Sequence, residues 1–166
     1  RRGVLARAAA LREFRRMLAR QKLLAALYAS CEGPEGDDAW LTEAEIAATL
    51  ETPPRVARRV VYDALLSVAL QPRESAKGTE FGLTDFGWDH ASLVVRGERI
   101  WRLYLLEHPD LAGQLVDLDL AKVDEQLPAD VVRDLEAKLR AENRLPETRA
   151  SAEVYAAARR ATGGRP

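Results

Sequence analysis

With 166 residues, 47% of them hydrophobic, the chain can form one domain with a real core, or a small domain carrying an appended helical subdomain. Its formal net charge is −1, and no apolar run reaches the roughly 18 residues a membrane span needs, which excludes such a span within it and reads as a soluble piece without a secretory leader. A single cysteine, Cys31, excludes an internal disulfide framework and a cysteine-built zinc site, and reads as an ordinary thiol in a reducing, cytosolic setting.

The near-neutral total hides an asymmetry. Residues 1–22 hold eight basic side chains (Arg1, Arg2, Arg7, Arg12, Arg15, Arg16, Arg20, Lys22) against Glu13 alone, so residues 23–166 hold 17 basic and 25 acidic groups. A basic leader on an acidic body predicts either a polyanion near the start, lipid headgroups or nucleic acid phosphates, or a solvated helical face. Arg12, Arg15, Arg16 and Arg20 are the candidates for an anionic membrane surface. The chain opens on Arg1, not Met, which leads us to expect a longer protein upstream.

In chain order, residues 4–30 repeat apolar side chains at three- and four-residue steps (Leu11, Phe14, Leu18, then Leu23, Leu24, Leu27, Tyr28), which predicts a helix ended by the Gly/Pro/Asp-rich loop 31–40. Thr42 and Glu45 have capping-box spacing and open a short helix to about Leu50. "ETPPR" predicts a second helix, capped by Thr52, starting at Pro53 and running to about Leu70. Its inward face is predicted to be Val56, Val60 and Ala64, with Val61, Leu65 and Val68 in part; Arg55, Arg58 and Arg59 share the outward face.

Residues 71–84 predict a small β-hairpin, a wing, so that the two helices and hairpin outline a winged helix-turn-helix. Arg55, Arg58 and Arg59 are then candidate DNA contacts, or a solvated face interrupted by Asp63. Thr84 caps a helix from Asp85 to His108, stopped by Pro109. A helix around Leu115–Leu127 and another over Asp130–Arg144 follow, the latter with Val131, Leu135 and Leu139 inward and a Glu136–Arg140 pair; the tail from Ser151 offers one or two turns.

No phosphate loop, CxxC, HExxH or GxSxG is present, and His90 and His108 are the sole imidazoles, each expected to cap or pack; an enzyme is not expected. The segments "FGLTDFGWDHASLVVRGERIWRLYLLEH" and "QLVDLDLAKVDEQLPADVVRDLE" resemble the iron- and manganese-dependent repressor family (DtxR/MntR type). In that family the wing ends in Leu-Thr with Gly three residues on, one helix carries His-Arg-Leu-Trp-Glu, and a later one carries His-x-x-x-Cys/Ala-x-x-Glu-His. The arginine-rich junction, "LLAALYAS" and "IWRLYL" are closer to a variant fused behind the membrane domain of zinc- and manganese-type ABC permeases.

That resemblance implies a mainly α fold: a winged helix-turn-helix followed by a helical metal-binding or dimerisation-like subdomain. It divides the chain into a basic juxtamembrane-like leader (1–22), the winged helix-turn-helix (23–92), the helical subdomain (93–146) and a tail (147–166). It also places the family's metal ligands on Glu98, Arg102 and Asp117 in one site, and on Lys22, Ala121, Asp124 and Glu125 in the other. Arginine cannot ligate a metal, and lysine must first lose its proton. One expectation is therefore that cations replace metals, Arg102 pairing with Glu98 and Asp117, and Lys22 with Asp124 or Glu125. The rival is an oxygen-rich site of Glu98, Asp117, Asp124 and Glu125 suited to Mn(II), with Zn or Fe as further candidates.

The function so implied is a cytoplasmic regulatory or interaction domain of a manganese, zinc or iron ABC permease, at the cytoplasmic face of the inner membrane. Its partners would be a second copy, the transporter's membrane domain or ATPase subunit, and, through the leader, anionic lipid. The alternatives are a metal-responsive repressor binding DNA as a dimer and a purely structural interaction module. Trp101, Tyr104 and Leu105 would serve either a dimer interface or the core.

Overall fold

The computed structural model describes residues 2–32, 39–114 and 119–148. The expected tail from Ser151, most of the loop 31–40 and the start of the helix expected at Leu115 lie outside them. Helix α1 spans Arg2–Cys31 and is 30 residues long, about 45 Å at 1.5 Å per residue. Its second half is core: Leu23, Leu24, Leu27 and Tyr28 are buried at helical spacing, whereas no side chain from Arg7 to Arg16 is.

Strand β1 (Leu41–Thr42) leads into α2 (Glu43–Thr49), and the capping box is formed: Thr42 Oγ1 accepts from the Glu45 amide while Glu45 Oε2 accepts from the Thr42 amide at 2.8 Å. Glu51 then turns through the left-handed region (φ 51°) into α3, Pro54–Leu66. Pro53 takes the cap position and Pro54 the first turn, one residue later than the spacing predicts; the Thr52 hydroxyl is buried and caps nothing. The helix ends four residues early because Val68 adopts φ 59°.

Strands β2 (Leu70–Ser75) and β3 (Gly78–Leu83) form the expected hairpin, with Gly78 at φ 102° in its turn. β1 adds to its other edge, giving a three-stranded antiparallel sheet in the order β1-β3-β2. Leu23, Leu27, Ile46, Val60, Val61 and Leu70 close a first core between α1, α2, α3 and the sheet. Two expected inward residues face out instead: Val56 is 43% exposed because Ala57 takes the buried position at the start of α3, and Val68 is 63% exposed because it lies past the helix end in a left-handed turn.

Helix α4 (Asp85–Glu107) starts on the Thr84 hydroxyl, which accepts from the Gly87 amide, and stops two residues before Pro109. Two 3₁₀ helices, Pro109–Gln114 and Leu120–Lys122, precede the single-turn α5 (Val123–Gln126) and α6 (Ala129–Ala141). The described part of the helix expected over Leu115–Leu127 is thus a 3₁₀ turn and one α turn, and the last helix ends three residues before Arg144. Ile100, Val123, Leu127, Val132, Leu135 and Leu139 form a second core between α4, α5 and α6, with Val131 at its edge.

A third cluster, Leu24, Tyr28, Ala69, Ala91 and Val95, joins the two halves along the α1–α4 contact. The protein is mainly helical with one small antiparallel sheet. Among the described residues, no helix is long and apolar enough to cross a membrane.

Candidate functional site

Helix α4 contributes to the second core and the third cluster and carries three arginines at three-residue steps, Arg96, Arg99 and Arg102. Arg96 is the most enclosed, its side chain 18% exposed. It donates to Asp124 Oδ2 and Oδ1 at 2.9 and 2.7 Å, and its Nε donates to Glu136 Oε1. One planar fork therefore ties α4 to α5 and α6 at once. The guanidinium holds the Asp124 carboxyl below the usual carboxylate range, and its hydrogen bond to Asp124 raises its own affinity for its proton.

Arg99 donates to Glu32, at the end of α1, and to the Arg144 carbonyl beyond α6. Arg102 donates to Glu98 Oε1 at 2.7 Å, the expected i, i+4 pair, and both side chains are exposed. The partners expected for the other carboxylates differ. Asp124 takes Arg96 in place of Lys22, Glu125 lies 3.7 Å from Lys122, and Lys22 is exposed with no ion pair among the described residues. Glu136 likewise pairs with Arg96, not Arg140, and Asp117 lies outside the described residues.

Glu98, Asp124 and Glu125 each face a different cation, and among the described residues no three His, Cys, Asp or Glu side chains gather as a metal ion would require. Ala121 offers no donor atom beyond its backbone. As placed here these groups do not fit the divalent ion of the resembling family.

On α3, Arg55 and Arg59 are exposed and make no ion pair among the described residues, whereas Arg58 Nε donates to Glu43 on α2 at 3.0 Å. The hairpin's cations are also engaged. Arg73 donates to the buried Glu80 at 2.9 Å and lies over the Trp40 ring, and Lys77 is 3.6 Å from Glu45. Three of the five cations on this side of the protein are thus matched by acids.

On α1, Arg7, Arg12, Arg15 and Arg16 are exposed, Arg16 3.6 Å from Glu13; Arg20 is half-buried. An open groove between α1 and α3 is lined by Glu13, Arg16, Met17, Arg20, Val60 and Asp63. His90 sits where α1 and α4 meet. Burial, reinforced by Arg20 and opposed by Asp119, lowers its pKa. His108 is an exposed helix cap whose ring lies tilted against Tyr104 at 4.6 Å between centroids. Trp101 and Tyr104 pack edge to face against the second core, with Leu105 half-buried beside them.

Two polar junctions were not legible in the sequence. Gln21, buried on α1, donates to Asp119 Oδ1 at 2.6 Å, although the two lie 98 positions apart. The backbone of Glu147 is caught between Tyr28 and Trp88: its amide donates to Tyr28 Oη at 2.9 Å, and its carbonyl accepts from Tyr28 and from Trp88 Nε1 at 3.2 and 3.1 Å. Burial pushes the Tyr28 hydroxyl up to about 12. Cys31 is buried, its thiol donating to Leu27 O and accepting from the Ala39 amide, as an ordinary packed thiol does. No protein-family model, curated protein or solved structure matches the chain.

Proposed function

We propose that this chain is a winged helix-turn-helix with an appended helical subdomain, of the iron- and manganese-dependent repressor type. In this reading it serves as the cytoplasmic regulatory or interaction domain of a manganese, zinc or iron ABC permease. α2 and α3 are the helix pair, β2–β3 the wing, and α4 to α6 the appended part. Its partners are the membrane domain or ATPase subunit of that transporter and, through the exposed arginines of α1, the anionic lipid surface.

The observation that carries the reading is the Arg96 fork across Asp124 and Glu136. At Asp124, one of the positions where the resemblance puts a metal ligand, a fixed cation stands instead and ties α4, α5 and α6 together. A domain held this way keeps its fold whatever the local metal concentration, as suits an interaction module more than a metal-triggered switch. Equilibrium dialysis against Mn(II), Zn(II) and Fe(II), with melting in EDTA alongside, tests it. The expected result is no stoichiometric binding at micromolar metal and an unchanged Tm. Stoichiometric binding that raises Tm sinks it.

The second reading, a DNA-binding repressor, is favoured by the exposure of Arg55 and Arg59 on the outward face of α3. It predicts duplex binding that weakens steeply with salt, each phosphate contact adding about −0.9 to the slope of log K against log salt. The pairing of Arg58, Arg73 and Lys77 with acids weighs against it.

A further inference from the structure

We draw no further inference here: the strongest candidate, the open groove between α1 and α3 where the buried Arg20 Nε has no hydrogen-bond partner among the described residues, is lined by two carboxylates, Glu13 and Asp63, as well as by Arg16 and Arg20, and nothing in the structure shows what occupies it.

Discussion

Arg96 shows how much one side chain can decide. Replacing it with Met leaves Asp124 and Glu136 without their counter-ion while keeping most of the aliphatic packing. Because the Asp124 side chain is 59% exposed, the expected loss is modest, about 1–2 kcal/mol at neutral pH by urea unfolding. The folded-state pKa of Asp124 is depressed below its ordinary 3.8, so the contribution is fully present above that value. It is lost as pH falls through the lower folded value, and there the curves of wild type and Arg96→Met are expected to converge.

His90 acts in the same direction for a different reason. Its folded-state pKa lies below the ordinary 6.5, chiefly through burial, so the unfolded chain takes up the proton first. Stability is therefore expected to fall as pH drops below 6.5, and His90→Asn to flatten that part of the profile while leaving the alkaline side alone. The family resemblance brought Asp124 to notice as a ligand position, with Lys22 expected to pair with it or with Glu125, whereas Arg96 pairs with it. Arg96, Asp124 and Glu136 are 28 and 40 positions apart, and no local period links them.

Among elements, two helix starts were the most legible. Thr42 with Glu45, and Thr84 before an apolar-periodic run, announce helix starts by local chemistry alone, and both caps are formed. Thr84 also donates to the Val68 carbonyl, so Thr84→Val is expected to cost about 1–2 kcal/mol, more than a surface cap, as read by thermal or urea unfolding. The phase of α3 was less legible. The inward face was expected to include Val60 and Ala64, which are buried, but Val56 was taken for its first member in place of Ala57, and Val68 lies past the end of the helix at φ 59°.

Two glycines of α4 stand where the backbone of another segment comes close. A Cβ at Gly97 would meet the Leu120 carbonyl at 1.8 Å, as one at Gly87 would meet that of Ala69. Both obstacles are backbone, which cannot rotate away. Gly97→Ala is expected to push the 3₁₀ turn at Leu120–Lys122 off α4 and destabilise the fold by about 3 kcal/mol or more, measured by chemical unfolding. An exposed glycine such as Gly78 meets no neighbour, yet its φ of 102° also resists a side chain.

In the whole molecule, the boundary at 92–93 came only with the family resemblance, and it falls within α4 (Asp85–Glu107). The junctions that span the chain were not legible, because Gln21–Asp119 and Tyr28–Trp88–Glu147 join residues distant in it. The first half of α1 stands apart from all three cores, so its charge can be changed with little effect on folding. Exchanging Arg12, Arg15 and Arg16 for Glu is expected to leave stability within about 0.5 kcal/mol by urea unfolding. Under the membrane reading the same exchange abolishes co-sedimentation with anionic vesicles, and wild type ignores neutral ones; equal binding to both vesicle types would sink that reading.

The clasp on Glu147 has a consequence for how the protein tolerates change. Tyr28 and Trp88 grip an amide and a carbonyl, groups common to nearly every residue, so the grip is blind to which side chain stands there. Glu147→Ala should pass unnoticed in a melt, while Glu147→Pro, which removes the one N–H that Tyr28 accepts, should free the segment after α6 to amide exchange. This stretch can therefore drift widely in sequence and still fasten one half of the molecule to the other, as a latch that holds any thread but a kinked one.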